Sequence, residues 1–337
     1  MVNLKTKYMG IELKNPIIVG ASNLVVQTEN LKRMEAAGAA AIVYKSLFEE
    51  QIQLESLQIS EQMQEFEERN AEMTSMFPDI EHAGPEEYLM NLAKAVKSVS
   101  IPVFGSLNAI DEENWVDYAK KIENTGVAGI ELNFYHVPSD FEIAGRAIIN
   151  EQIDIARAVC KSVKIPVAVK LSPYYTNPLY VVNEMDKVGV DGFVLFNRLF
   201  QPYIDVEKEE MHFPYNLSQH EDSRFPLRVT GVLYGNIKAD ICSSRGIFTG
   251  HDAISMILAG ANCVQVVSTL YKNKIEQITT ILNDLESWMN KKGYKKLEDF
   301  RGKMSKKNIH DPFAYRRAQY VDILMKSEEI FKKYPTI

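Results

Sequence analysis

The chain has 337 residues, of which 46% are hydrophobic and 25% are charged, and its formal net charge is −7. This composition predicts a globular core, and the acidic balance argues against a nucleic-acid surface, because no basic stripe is present to neutralise phosphates. No apolar signal-peptide region opens the chain and no run approaches the roughly 20 apolar residues of a membrane span, so we expect a cytoplasmic protein that does not bind membranes.

Eight short apolar runs rich in β-branched residues predict buried strands. They cover residues 16–21, 40–45, 102–106, 128–133, 166–171, 191–196, 239–244 and 262–268. Helical periodicity between them predicts helices over residues 28–37, 86–98, 112–124, 143–163, 178–188 and 252–258. This alternation favours a (β/α)8 TIM barrel. The alternative, a doubly wound sheet, would need a G-x-G-x-x-G fingerprint where this chain has GASNLV.

Three segments extend beyond a minimal barrel. Residues 46–85 form an acidic excursion after the second strand, and residues 197–226 form another after the sixth, which holds Tyr203, His212, Tyr215 and His220. Long βα loops belong to the C-terminal face of a barrel, where sites are built. Residues 290–337 predict a charged helical tail with DPFAYRRAQYVDILMK as its last helix. We therefore predict a barrel domain over 1–302 and a helical extension over 303–337 packed on it.

The cysteines predict neither a disulfide framework nor a metal site. Cys160, Cys242 and Cys263 are too few and too scattered for either. Each falls inside a predicted helix or strand, which favours a packed, reduced thiol.

Polar residues follow almost every predicted strand and should converge on one mouth of the barrel. They are Ser22 and Asn23, Lys45 and Ser46, Ser106 and Asn108, Asn133 and His136, Lys170 and Ser172, Asn197 and Arg198, residues 243–246, and Ser268 and Thr269. The last two loops, SSRGIFTGHDA and VVSTLYKN, are typical of a phosphate site at the end of a barrel. Arg245 could add charge to a phosphate or pair with a neighbouring residue.

The strand motifs together resemble the dihydroorotate dehydrogenase family of flavin barrels, over about residues 3–302. The matching motifs are NPIIVGAS, AGAAAIVYKS, IELN, VAVKLSPYY, FN at 196–197, RGIFTGHDAISMILAGANCVQVVSTL and LEDFRGK. The resemblance implies bound FMN and a role in pyrimidine metabolism. It also argues against the membrane-bound, quinone-using branch, because no N-terminal extension is present.

The resemblance assigns roles to residues of this chain. It implies that Ala21 and Ser22 line the flavin, and that Lys170 lies against flavin N1. Lys45 would lie near flavin and substrate, and would take part in catalysis with Lys170. Flavin or substrate contacts are implied for Asn133 and Asn197, and phosphate contacts for Gly246, Ser268 and Thr269.

The chain also departs from the family pattern. His136 stands where the family has a Cys or Ser base, and it could act as a base, hydrogen-bond a substrate or fill the loop. Asn23, Arg245 and Val267 replace family glycines, and their bulk threatens close backbone approach to a phosphate. The family's Asn-x-Met-Gly loop has no clear match in residues 46–85.

We expect an FMN-dependent oxidoreductase that oxidises a CH–CH bond next to a carbonyl group, or catalyses the reverse. Dihydroorotate or a related dihydropyrimidine is the first substrate expected. One alternative is an aldolase-type barrel in which Lys170 forms a Schiff base with a phosphorylated substrate. Another is a flavin-binding barrel without dehydrogenase chemistry. The electron acceptor, a partner protein and a homodimer are left open.

Overall fold

A computed structural model describes residues 2–50, 85–110, 112–137, 140–212 and 217–326, together with 328 and 332. Its strands, in chain order, are β1 (Thr6–Tyr8), β2 (Ile11–Leu13), β3 (Ile17–Val19), β4 (Ala41–Phe48), β5 (Val103–Asn108), β6 (Gly129–Asn133), β7 (Val167–Leu171), β8 (Gly192–Leu195), β9 (Tyr203–Asp205), β10 (Glu210–His212), β11 (Asp240–Ser244) and β12 (Cys263–Val266). Strands β3 to β8, β11 and β12 close a parallel barrel in that order, with β12 paired back to β3. The predicted (β/α)8 barrel is confirmed.

Helices follow the barrel strands and surround them. They are α1 (Thr28–Ala36), α2 (Glu86–Ser98), α3 (Glu112–Glu123), α4 (Gly145–Ser162), α5 (Pro178–Lys187), α6 (Arg224–Leu233), α7 (Gly250–Ala259), α8 (Ser268–Asn273), α9 (Gln277–Lys292) and α10 (Ala318–Met325). The six helices predicted between strands are present, each within two residues of its predicted ends. Sequence patterns missed α6, where Pro226 is tolerated because it lies in the first turn. They also missed α9, which opens on β-branched residues that favour strands.

An antiparallel ribbon of β1 and β2 plugs the N-terminal end of the barrel. Tyr8 is 2% exposed and Met9 is 5% exposed, and both belong to an apolar cluster that includes Phe104. A Cβ added at Gly192 would lie 2.8 Å from the Met9 side chain and 3.0 Å from the Tyr8 ring. Because Gly192 has no side chain, the β1–β2 ribbon can pack against its backbone. Apolar side chains therefore fill this end of the barrel.

The barrel interior changes from apolar to polar along its axis. Successive side chains of a strand point to opposite faces, so on β7 Ala168 belongs to the apolar cluster while Lys170, two residues on, lines a cavity. The same step on β12 leads from Cys263 to Gln265. Polar groups are therefore concentrated at the C-terminal ends of the strands.

The two predicted excursions differ in how much of them is described. Strand β4 extends to Phe48, beyond its predicted end at 45, and residues 51–84 of the first excursion lie outside the described residues. The second excursion holds the exposed ribbon β9–β10 and a 3-10 turn over His220–Ser223. Tyr215 lies outside the described residues. The ribbon was not predicted from the sequence.

The tail is only partly helical within its described part. Helix α9 ends at Lys292 and is capped by Gly293, whose φ of +77° is left-handed. Short 3-10 turns at Leu297–Asp299 and Pro312–Tyr315 precede α10. The backbone N–H of Met304 donates to Leu258 O at 2.8 Å, and that of Lys306 to Gly231 O at 2.8 Å. The chain therefore continues along α6 and α7 on leaving the barrel domain, and the domain boundary at 303 remains a prediction.

The cysteines are free thiols. Burial raises the pKa of Cys160 to about 12, and burial also raises the pKa of Cys263 well above its usual value. Within the described residues, no group of His, Cys, Asp and Glu could hold a metal ion. The described part of the chain also contains no helix long and apolar enough to cross a membrane.

Candidate active site

A cavity of about 270 Å³ opens at the C-terminal ends of the barrel strands. It gathers residues from the ends of β3, β4, β6, β7, β8, β11 and β12 and from the loops that follow them. Its described wall consists of Ala21, Ser22, Asn23, Lys45, Ser46, Phe48, Asn133, Tyr135, Lys170, Phe196, Asn197, Arg198, Phe200, Leu217, Ser218, Ser244, Arg245, Gly246, Ile247, Gln265, Val267 and Ser268.

Of the residues to which the sequence analysis gave a catalytic or binding role, all but two meet in this wall. Four others that were also predicted at the mouth are not part of the described wall, namely Ser106, Asn108, Ser172 and Ser243. Thr269 is fully buried, and its hydroxyl donates to Phe248 O at 3.4 Å and accepts from Asn273 at 3.1 Å. Its side chain is thus occupied away from the cavity. His136 is exposed and outside the wall, whereas its neighbour Tyr135 lies in it.

Side chains of the segment ELNFYH, at the end of β6, point alternately towards the cavity and towards the surrounding helices. Asn133 and Tyr135 line the cavity. Phe134, which lies between them, packs edge-on against Trp115 of α3 with ring centroids 5.1 Å apart. This alternation follows from the pleat of a strand. The Tyr135 hydroxyl oxygen accepts from the Phe200 N–H at 2.9 Å, which ties it to the loop after β8.

Lys170 lies deepest among the cationic groups of the wall. Its Nζ is 3.3 Å from Glu131 Oε1 and donates to Gln265 Oε1 at 3.1 Å. Gln265 Nε2 in turn donates to Glu131 Oε2 at 2.5 Å. Lys170 is 7% exposed, and Glu131 and Gln265 are each 2% exposed. The ammonium group is held as part of a buried, paired trio.

Amide and hydroxyl groups form a second network above this trio. Asn197 Nδ2 donates to Asn133 Oδ1 at 2.6 Å, and Asn133 Nδ2 lies 3.5 Å from Ser46 Oγ. Ser46 and Ser106 share a hydroxyl hydrogen bond of 2.6 Å. Asn108 Nδ2 donates to Asn133 O at 2.8 Å. These bonds fix the two amides, each of which offers donors and acceptors to a planar polar ligand.

Tyr88 on α2 fixes the backbone that carries Lys45. Its hydroxyl donates to Lys45 O at 2.8 Å and to Ser106 O at 3.1 Å. Burial raises the pKa of Tyr88 far above its usual value, so the hydroxyl remains a donor. Lys45 itself is half-buried in the wall. Its side chain therefore projects into the cavity from an anchored strand.

The loop at 217–223 closes the other end of the cavity, where a phosphate is predicted. Gly246 N lies 3.4 Å from Ser218 Oγ, and Ser218 N donates to Ser268 Oγ at 3.0 Å. Lys272 Nζ donates to Ser218 O at 3.1 Å. Ser218 thus links the two predicted phosphate residues. Sequence analysis missed it, because a single serine in a long loop carries no pattern.

Two arginines at this end share one carboxylate. Arg198 NH1 is 2.5 Å from Asp222 Oδ2, and Arg245 NH2 is 3.2 Å from Asp222 Oδ1. Arg245 has a φ of +76°, the left-handed conformation that favours glycine. The backbone at Arg245 therefore has a conformation that glycine adopts easily, and its guanidinium group pairs with Asp222. Asn23 and Val267, at the other two glycine positions, also line the cavity.

The residues present fit a flavin mononucleotide. The described wall carries Lys45, Lys170, Arg198 and Arg245 but no carboxylate, which suits a phosphate and an electron-rich ring. Ser22 Oγ and Arg245 Nε are buried and have no hydrogen-bond partner among the described residues. Buried polar atoms are normally paired, so both fit a site completed by a polar ligand.

We expect Gly246→Ala to weaken binding of a phosphate-bearing ligand. With φ at +68°, an added Cβ would lie 2.4 Å from Ser223 N and 2.9 Å from His220 O, so the loop at 217–223 must move. Gly293→Ala is the matched control, because Gly293 has φ +77° with nothing within 4 Å. Isothermal titration should show a larger loss of FMN affinity than of riboflavin affinity in Gly246→Ala. Equal affinities in the two variants would contradict this role.

Comparison with known proteins gives consistent matches. The family model described as "Dihydroorotate dehydrogenase" matches residues 3–289. The catalytic subunit of dihydroorotate dehydrogenase B (NAD(+)) from Methanocaldococcus jannaschii is 30% identical over 297 residues, covering 85% of this chain and 93% of that protein. The same subunit from Thermoplasma volcanium is 29% identical, covering 90% and 98%. Dihydroorotate dehydrogenase A (fumarate) from Lactococcus lactis is 26% identical, covering 89% and 99%.

Proposed function

Because this chain belongs to the dihydroorotate dehydrogenase family, we propose that it uses FMN to oxidise a CH–CH bond next to a carbonyl group. Members of the family are flavin-dependent oxidoreductases that act on such a bond. The observation that carries the proposal is the single cavity that joins Lys45, Asn133, Lys170 and Asn197 to the loops around Gly246 and Ser268. Dihydroorotate or a related dihydropyrimidine is the substrate proposed.

Each part of the cavity has a task in this reaction. The flavin, when bound, accepts the two electrons removed from the substrate. Lys170 supplies positive charge beside the ring, where reduction places negative charge. Asn133 and Asn197, fixed by their mutual hydrogen bond, orient the polar edges of flavin and substrate. Gly246, Ser268 and Arg245 hold the phosphate. Phe196 and Phe200 add apolar surface to the wall and help to exclude water.

The proton-accepting group is proposed to be His136. Among the described wall residues the titratable groups are ammonium, guanidinium and phenol groups, with no carboxylate, imidazole or thiol. A carboxylate, imidazole or thiol base would therefore come from outside the described wall. His136 follows the cavity residue Tyr135 directly, and general bases often reach hydrogen-bonding distance only once the substrate is bound.

The pairing of Lys170 argues against the Schiff-base alternative. A Schiff-base lysine attacks as a neutral amine, usually in an apolar pocket or next to another cation. Lys170 instead lies 3.3 Å from a buried carboxylate, with which it forms an ion pair. The arrangement suits a fixed positive charge better than a nucleophile.

We expect purified protein to release FMN and not FAD. The described phosphate end of the cavity is lined by Ser218 of the loop at 217–223, which bonds to Gly246 and Ser268, and this arrangement suits a terminal phosphate. Visible absorption followed by mass spectrometry of the released cofactor makes the test. Release of FAD, or the absence of bound flavin after incubation of the apoprotein with FMN, would refute the proposal that the protein uses FMN.

A further inference from the structure

The buried trio of Lys170, Gln265 and Glu131 is only partly in contact with the cavity. Lys170 and Gln265 both line the cavity, but Glu131 does not. Glu131 stands two residues before Asn133 on β6 and is 2% exposed. Its carboxylate reaches the cavity only through its partners, with Lys170 Nζ at 3.3 Å and Gln265 Nε2 at 2.5 Å. Any effect of Glu131 on a bound ligand is therefore transmitted by these two side chains or by its field.

Stability alone does not explain the buried ion pair of Lys170 and Glu131. Burying two charges costs much of what their attraction returns, and apolar replacements are often neutral or stabilising. Ala168 on β7 and Cys263 on β12 stand two residues before Lys170 and Gln265 and belong to an apolar cluster. The barrel interior therefore readily accepts apolar side chains next to the trio. Gln265 is also oriented, because its Oε1 accepts from Lys170 while its Nε2 donates to Glu131. The three groups form a closed ring of interactions.

We propose that Glu131 is a positioning residue that fixes the Lys170 ammonium through Gln265 and offsets its charge, and so sets the midpoint potential of the bound flavin. This inference rests on the proposed function. Reduction adds negative charge to the ring, which the ammonium stabilises and the carboxylate opposes. The potential then reflects the balance of the pair and not the lysine alone.

The substitution Glu131→Gln tests the proposal by the direction in which it shifts the midpoint potential of the bound flavin. Loss of the carboxylate leaves the ammonium uncompensated, so reduced FMN should bind at least tenfold more tightly relative to oxidised FMN than in the parent. This change corresponds to a rise of about 30 mV for a two-electron couple. Glu131→Asp keeps the charge at a greater distance and should give a smaller rise. A spectroelectrochemical titration measures both, alongside FMN affinity and thermal unfolding.

The control is Ser243→Ala. Ser243 is a fully buried polar residue of β11 whose hydroxyl donates to Met256 Sδ on α7, away from the cavity. The Ser243→Ala variant should leave the midpoint potential of the bound flavin at the parent value. It therefore separates a charge effect from a general disturbance of the barrel. Part of the rise should be transmitted through the Lys170 ammonium, so Glu131→Gln should give a smaller rise in a Lys170→Met background.

Three results would overturn the inference. The first is an unchanged potential in both Glu131 variants with normal FMN content, and the second is a fall in place of a rise. The third is an equal rise in the presence and absence of Lys170. Each leaves FMN binding intact and so refutes the role of Glu131 without touching the proposed function. A parent protein that binds no flavin would refute both. If Glu131→Gln does not fold, the Glu131→Asp titration decides alone.

Discussion

Replacing Lys170 by methionine is expected to lower the midpoint potential of the bound flavin by several tens of millivolts. At an effective dielectric constant of about 20, a unit charge about 4 Å from another contributes about 4 kcal/mol. For a two-electron couple, about 1.4 kcal/mol corresponds to about 30 mV. The ammonium is 7% exposed, so solvent screens little of this contribution, while the paired Glu131 carboxylate offsets part of it. Spectroelectrochemical titration of variant and parent makes the measurement, and substrate-driven flavin reduction should slow in parallel.

The buried partner of Lys170 makes this substitution costly for folding as well. It leaves the Glu131 carboxylate without its counterion, and removing one member of a buried pair typically costs about 3–5 kcal/mol. The double variant Lys170→Met with Glu131→Gln removes both charges, so it should recover most of the stability, and its potential should lie above that of Lys170→Met because the opposing carboxylate is gone. An unchanged potential in Lys170→Met with normal flavin content would remove Lys170 from its electrostatic role.

Replacing His136 by asparagine is expected to lower the rate of substrate-driven flavin reduction by roughly 10²–10⁴-fold, the usual contribution of a general base. Flavin content should stay normal, because His136 lies outside the described cavity wall. Stopped-flow mixing under anaerobic conditions measures these rates.

Tyr135→Phe is the matched control for His136. Tyr135 lies in the wall and its hydroxyl accepts from Phe200 N, so the variant removes the neighbouring proton-bearing group and keeps the ring. A rate near that of the parent is expected. Loss of rate in Tyr135→Phe together with the parent rate in His136→Asn would move proton transfer to the phenol and leave the histidine as loop filler.

The barrel was predictable because its strands are buried on both faces and its helices are amphipathic. Those two constraints leave a repeated pattern in the sequence, and glycines mark the joints between helix and strand. The ribbon β9–β10 left no such pattern. Tyr203 is 63% exposed and Met211 is 58% exposed, so no buried face imposes an alternation of apolar and polar residues there.

The site was predictable where strand position alone places a side chain. Asn133 and Lys170 end strands, and parallel strands of a barrel bring their ends to one mouth. Glu131 and Gln265 were passed over because each is a single polar residue inside an apolar run. Their signal is the spacing, since each stands two residues before a cavity residue, Asn133 and Val267, and so faces the interior.

Position in the sequence did not reveal where Thr269 and His136 point. Thr269 satisfies its hydroxyl with Phe248 O, a partner more than 20 residues away. The hindrance of a phosphate by the bulk of Arg245 at a family glycine position stays a prediction. Arg245 has a φ of +76°, a conformation that favours glycine, and its guanidinium group pairs with Asp222.

The most direct test of the account is anaerobic addition of dihydroorotate to the purified, flavin-loaded protein while its visible spectrum is recorded. The cavity with Lys45, Asn133, Lys170 and Asn197 in one wall leads us to expect bleaching of the flavin bands as substrate electrons reach the ring. Bleaching by a chemical reductant, but not by dihydroorotate or related dihydropyrimidines, would contradict the proposed reaction.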